Sequence, residues 1–301
     1  MKHKLSLWLS SLAVIGLMLL LTGCKNSQPA AYDPQKPLGP QLNYTITGID
    51  ASAGEMDKAT QALTAYGLKA NNWQLMPSST AAMVGALDKA VQYKQPIVVT
   101  AYQPHWMFAK YPLKWLKDPK HVFGKTQHES TIARKGLKQD NPGAYQLLKN
   151  FHWTVEESYA TMLKINAGVD QTKAAKQFIK THPKRTQETL KNVPEGHNQE
   201  VKLVYTPYDY EVAVTSVVAQ MLTDKGYKVT TQQLDVSVMW QAIAAGKVDA
   251  TLVASLPTTH AAFVKKYQGQ FDEVRINLPG AKIGLAVPKY MKNINSIEDL
   301  R

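Results

Sequence analysis

Apolar and polar positions along the chain follow two rhythms. Short runs rich in β-branched and apolar residues, at Tyr44–Ile49, Ile97–Thr100, Val201–Tyr205, Val229–Leu234, Thr251–Ala254 and Ile283–Val287, read as strands. Between them, Glu55–Tyr66, Ser79–Tyr93, Glu211–Asp224 and Val236–Ala245 carry apolar residues at helical spacing, several of them behind a Ser or Asp suited to capping. Alternation of the two rhythms predicts an α/β architecture with mostly parallel strands, and the pattern is long enough for two sheets.

One stretch breaks the alternation. From Thr154 to Asn198 the chain is rich in Lys, Gln and Thr, with weaker helical spacing and interruptions at Pro183 and Pro194. Residues 152–199 are therefore expected to form connecting helices and a loop between an N-terminal α/β block, 41–151, and a C-terminal one, 200–301. Two such blocks with a cleft between them make a small-molecule trap, because closing a hinge buries a ligand on both faces. That is an expectation about architecture and leaves function open.

The first residues, Met1-Lys2-His3-Lys4, are positively charged and precede an apolar run, Leu5 to Leu21, so residues 1–23 read as a secretory signal. The run ends in Leu21-Thr22-Gly23-Cys24, which resembles a bacterial lipobox. The resemblance implies a lipid on Cys24 and a place on the outer face of the cell membrane. Polar, proline-punctuated sequence up to Pro40 then reads as a flexible spacer, so that residues 24–40 comprise the lipidated cysteine and its tether. Cys24 is the sole cysteine, which excludes an internal disulfide and a cysteine-based metal cluster.

The chain carries a formal charge of +12, and losing Lys2 and Lys4 with the signal would leave about +10. Its lysines are spread rather than gathered into a stripe, and no nucleic-acid motif accompanies them. The charge therefore points to a solvated basic surface near an anionic envelope and not to a nucleic-acid partner.

Several motifs together resemble one family. Gly48-Ile49-Asp50-Ala51-Ser52-Ala53-Gly54-Glu55-Met56, Pro104-His105-Trp106-Met107-Phe108, Thr131-Ile132-Ala133-Arg134-Lys135-Gly136, Gln233-Leu234-Asp235, Leu256-Pro257-Thr258-Thr259-His260 and Gly284-Leu285-Ala286-Val287-Pro288-Lys289-Tyr290 are similar to segments of the glycine betaine-binding proteins of ABC importers. The similarity extends from about Tyr44 to the end of the sequence. It implies a two-lobed, type II periplasmic-binding-protein-like fold with the ligand between the lobes. The order of the motifs resembles a circularly permuted branch of the family, so the regions near Tyr44 and Arg301 are expected to adjoin in space.

The resemblance also implies a two-ended site for a quaternary-ammonium solute. A betaine has a carboxylate at one end and a methylated ammonium, with no N–H to donate, at the other. For the carboxylate it implies the backbone amides of Gly54 and Glu55, at the start of a helix, and the side chain of His260. Glu55 departs from the apolar residue often found in relatives, and its carboxyl would repel an anion or recruit a cation. For the ammonium it implies an aromatic cage whose positions here read Tyr102, Tyr208 and Ser255, none of them the family's tryptophan. Tyr210 is an extra aromatic that could lean toward the gap at Ser255. His105, Trp106 and Trp240 are assigned to core packing.

The implied function is an extracytoplasmic solute-binding lipoprotein that delivers glycine betaine or a related osmoprotectant to an ABC permease, with no cofactor, no metal and no enzymatic role. Two alternatives stay open: a different small solute, because the cage is altered, and an extracytoplasmic hydrolase. For the latter the sequence offers no Gly-x-Ser-x-Gly elbow and no His-Glu-x-x-His.

Overall fold

The computed structural model describes residues 30–51 and 53–301. The expected signal at 1–23 and the expected lipidation site Cys24 lie outside the described residues. Among the described residues nine strands follow one another: β1 (Thr45–Thr47), β2 (Gln74–Met76), β3 (Val99–Gln103), β4 (Leu113–Trp115), β5 (Gln127–Arg134), β6 (Glu200–Tyr205), β7 (Lys228–Gln233), β8 (Ala250–Leu256) and β9 (Phe271–Pro288). They pair in the order β2-β1-β3-β9-β5-β8-β6-β7, with β4 also on β9.

The outer pairs, β1 with β2 and β3, and β6 with β7 and β8, are parallel, as helical crossovers require. At the centre the pairing is antiparallel: β9 runs against β3, β4 and β5, and β5 runs against β8. The expectation of mostly parallel strands is corrected accordingly. What the periodicity suggested as two sheets is one continuous sheet, because β9 is long enough to serve both halves. Its end, Lys282–Ala286, pairs with β3, and its beginning, Phe271–Ala281, pairs with β5.

Two lobes result. One holds β1 to β4 with the end of β9, and the other holds β5 to β8 with its beginning. The chain therefore passes between lobes before β5 and again within β9, rather than at residue 151. β5 and the helix Pro142–Asn150 both belong with the second lobe.

Helices form where the pattern placed them, at Gly54–Ala65, Thr80–Tyr93, Asp209–Asp224 and Val236–Ala244. Ser79 caps the second of these by accepting from the Ala82 amide at 3.1 Å. The Asp209–Asp224 helix is buried on most sides, through Val214, Val217, Val218 and Met221 among others. It lies between the sheet and the helices Val155–Asn166 and Gln171–Thr181. Those two helices come from the Lys- and Gln-rich stretch, which builds an outer layer over it. A capping box between Thr154 and Glu157 starts the first, and Asp170 caps the second.

Residues 32–40, read from the sequence as part of a flexible spacer, are instead packed against the first lobe. The Tyr32 amide donates to the Lys94 carbonyl at 2.7 Å, Leu38–Gln41 forms a helical turn, and Leu38 is buried. Prolines made this segment look like open chain, but Leu38 and the Tyr44 ring give it an apolar anchor. Leu38 and Tyr44 share a core cluster with Ile297 and Leu300, so the two regions expected to adjoin do so. No helix among the described residues is long and apolar enough to cross a membrane.

Candidate functional site

A cleft of about 1240 Å³ opens between the lobes. From the first lobe it is lined by the start of the Gly54–Ala65 helix and by the end of β3. From the second come the start of the Asp209–Asp224 helix, the end of β8 and the first residues of β5. Helix starts and strand ends thus converge there, which is where open α/β sheets commonly bind ligands.

At the first helix start, Ala53 occupies the cap position and has no side chain with which to cap the amides of the first turn. A Cβ added to Gly54 would stand 2.9 Å from the Thr259 methyl of the other lobe, so glycine permits the close approach. Glu55 turns its carboxyl into the lobe boundary, 4% exposed, with its Oε1 buried and unpartnered. Burial pushes this carboxyl up to about 8, and the neighbouring Thr100 hydroxyl opposes the shift.

His260 is buried against Trp240, whose ring meets it edge to face at 5.9 Å. Its Nδ1 accepts from the Ser255 amide at 3.2 Å, which assigns the proton of the neutral ring to Nε2. Burial pushes His260 down to about 4, so near neutrality the ring offers one N–H and no charge.

The aromatic positions come from opposite lobes. Tyr102 ends β3, and Tyr208 precedes the Asp209–Asp224 helix; their rings meet edge to face, with centroids 6.2 Å apart and planes at 68°. They make a corner rather than parallel walls. The edge of Tyr102 also meets His105 at 4.7 Å, and the Tyr102 hydroxyl is buried without a partner. Burial raises the Tyr102 hydroxyl well above its ordinary value, with further upward pushes from Asp209 and Glu55. Tyr208 rises to about 12 through burial, then through Glu211, Asp50 and Glu55. Both phenols therefore stay protonated.

Tyr210 lines the cleft but is nearly wholly buried. Its hydroxyl donates to Asn277 at 3.2 Å and accepts from the Trp153 indole at 3.2 Å, so its polar end is committed to the core of the second lobe. Ser255 places no ring in the cleft. Its hydroxyl donates to Glu129, 2.8 Å from one carboxylate oxygen and 2.9 Å from the other.

Glu129 itself went unnoticed in the sequence, as did Glu211. Both line the cleft and are buried, 6% and 8% exposed. Glu129, on β5, is pushed up to about 7 by burial, opposed by Ser255. Burial likewise takes Glu211 to about 8, although it accepts from the Thr206 amide at 2.6 Å. A carboxyl directly before the run Ser130 to Ala133, which is small or apolar, is the available signal for Glu129.

Of the residues assigned to packing, Trp240 and His105 are buried, the His105 Nδ1 accepting from the Met107 amide at 3.0 Å. Burial pushes His105 down to about 3. Trp106 does more than fill the core. It lines the cleft, and its indole N–H donates to Asp209 of the other lobe at 2.6 Å.

A sequence profile for the substrate binding domain of ABC-type glycine betaine transport systems matches residues 27–181 and 199–301. The glycine betaine/carnitine transport binding protein GbuC of Listeria monocytogenes serotype 1/2a (strain 10403S) is 48% identical over 289 residues, which are 96% of this chain and 96% of that protein. Among solved structures, lactococcal OpuAC in a closed, glycine betaine-bound conformation is 38% identical with a TM-score of 0.45, over 55% of this chain and 64% of that one. A glycine betaine/L-proline-binding protein, ProX, from Borrelia burgdorferi is 26% identical with a TM-score of 0.42, over 56% and 63%.

The buried carboxyls make stability depend on pH. Glu55, Glu129 and Glu211 all have folded-state values above the ordinary 4.5. Their contribution is complete below 4.5 and is lost as pH rises through about 7 to 8, because the unfolded chain ionises first. His105 and His260 act in the opposite sense, since their contribution is complete above 6.5 and fades toward 4 and 3. Unliganded protein should therefore gain thermal stability as pH falls from about 8.5 to about 6.5, and more gradually from there to about 4.5, where the two histidines offset two of the three carboxyls. Glu129→Gln and Glu55→Gln should each flatten that limb, by roughly 1 kcal/mol per pH unit. Scanning calorimetry across this range checks it.

Proposed function

The chain belongs to the family of substrate-binding domains of ABC-type glycine betaine transport systems, and from that premise we propose that it captures a quaternary-ammonium solute outside the cytoplasm and delivers it to a membrane permease. The observation that carries this reading is the Tyr102–Tyr208 corner at the lobe boundary, one ring from each side. A methylated ammonium has no N–H to satisfy, so the negative faces of aromatic rings are its natural partners, about 2 kcal/mol or more when water is excluded. Splitting the corner between two lobes couples capture to closure. Each ring then gains its contact only when the lobes come together, and the closed form is the one a permease can distinguish from the open form.

In this reading the other end of the ligand meets Gly54, Glu55 and His260, with Ser255 and Tyr210 at the flank of the corner. Helix-start amides and the Nε2–H of a neutral His260 suit an acceptor, whereas Glu55 suits a donor. The relative GbuC, named for glycine betaine and carnitine transport, supports the solute class. Osmoprotection is the physiological role this implies. Tyr102→Ala and Tyr208→Ala should each weaken binding by about 1–2 kcal/mol, roughly five- to thirtyfold in Kd. Isothermal titration with glycine betaine, carnitine and choline checks this, and no binding of any of the three by the wild type would reject the quaternary-ammonium reading.

The proposal includes a lipid on Cys24 after removal of residues 1–23. A tether raises the effective concentration of the receptor beside its permease without any new contact. Cys24→Ser should move the protein from the membrane fraction to the medium or periplasm of the producing cell. Retention of the variant on the membrane in carbonate-washed fractions would show that something other than a thioether lipid holds it.

A further inference from the structure

The proposed capture of a quaternary ammonium leaves the chemistry of the ligand's other end unassigned, and the charge inventory of the cleft addresses it. Three carboxyl side chains, Glu55, Glu129 and Glu211, are each more than nine-tenths buried along its lining. Their acceptor capacity is not used up. Glu55 Oε1 is buried with no partner, and the two oxygens of Glu129 share a single donor, the Ser255 hydroxyl.

No cation among the described lining residues is aimed at these groups. Lys110 is drawn to Asp88 at 3.3 Å and lies over the rings of Tyr111 and Trp106, while Lys282 lies over the Trp115 ring at 4.2 Å. His105 and His260 are held neutral by burial. The cleft is thus rich in acceptors and short of positive charge in a chain whose formal charge is +12. Burying a carboxyl with acceptor capacity left over is costly, so Glu55 and Glu129 in the cleft point to a ligand that completes them.

We propose that the cleft selects a small organic cation that lacks a carboxylate and brings its own hydrogen-bond donor, an ammonium alcohol rather than a zwitterionic betaine, with Glu55 accepting from the donor and Glu129 supplying the counter-charge. A ligand carboxylate in the same place would meet the ionised form of Glu129 as like charge, whereas a cation favours the ionised, accepting form of both carboxyls. Ser255 then has a purpose other than a missing ring. Its hydroxyl fixes Glu129, and a bulkier residue there would displace that carboxyl.

The proposal rests on the quaternary-ammonium reading, and the experiment separates the two. Choline and glycine betaine share a trimethylammonium group and differ in a hydroxymethyl against a carboxylate, so their affinity ratio at pH 7.5 reads the far end of the site alone. Wild-type protein should bind choline at least about tenfold more tightly. Glu55→Gln and Glu129→Gln should each shift the ratio toward glycine betaine by roughly ten- to hundredfold. Because the ratio is taken within each variant, a reduced folded fraction does not alter it. A wild-type preference for glycine betaine, or a ratio unmoved in both variants, overturns the proposal.

If neither methylated compound binds, the quaternary-ammonium reading fails by itself, and ethanolamine against glycine tests the preference for cations. Tighter binding of ethanolamine upholds the proposal. Tighter binding of glycine, or no binding of any of the four, overturns it.

Discussion

One strand holds the molecule together. β9, from Phe271 to Pro288, pairs along its beginning with β5 and along its end with β3 and β4, so both lobes hang from a single hydrogen-bonded ladder. A shared strand joins the lobes on one side, and across the cleft they meet through Trp106 with Asp209 and Tyr102 with Tyr208. The ends of β3 and β8 and the starts of two helices are thereby brought to one boundary. Asn277, fully buried on β9, extends the same logic inward: its amide donates to Thr131 of β5 and to the Leu252 carbonyl of β8, and its oxygen accepts from Tyr210. The floor of the second lobe's half of the cleft is therefore tied to the strand that joins the lobes.

What the lobes enclose is set by burial more than by any single contact. Removing water from Glu55, Glu129 and Glu211 raises their proton affinities, while the same burial strips the charge from His105 and His260. The two effects act together, leaving a site with many acceptors and neutral donors, whose two lining lysines, Lys110 and Lys282, are held over aromatic rings away from these carboxyls. Tyr102 and Tyr208 add ring faces that favour positive charge. Asp209, which raises Tyr102, also accepts from the Trp106 indole across the cleft, so the same residue joins the lobes.

Much of the fold was legible because period and capping agree locally. Ser79, the apolar spacing after Asp209 and the β-branched run at Val201 each gave an element close to its observed bounds. β5 and the beginning of β9 were not legible. Their register shifts repeatedly along their mutual pairing, which blurs the two-residue alternation that announces a strand. The segment at 32–40 misleads for a different reason, since prolines signal irregular backbone and say nothing about whether that backbone is packed.

The site divided in the same way. Resemblance pointed to Gly54, Glu55, Tyr102, Tyr208, Ser255 and His260, and all six line one cleft. Glu129 escaped notice because it sits on an unrecognised strand, although it is the residue that Ser255 engages. The central claim is that the cleft holds an organic cation against the Tyr102–Tyr208 corner with carboxyl groups at its flank. A crystal structure of the protein grown with choline tests it most directly. The account predicts the quaternary nitrogen within about 6 Å of both ring centroids and the hydroxyl donating to Glu55. A cation bound away from both rings, or a hydroxyl turned from every carboxyl in the cleft, would contradict it.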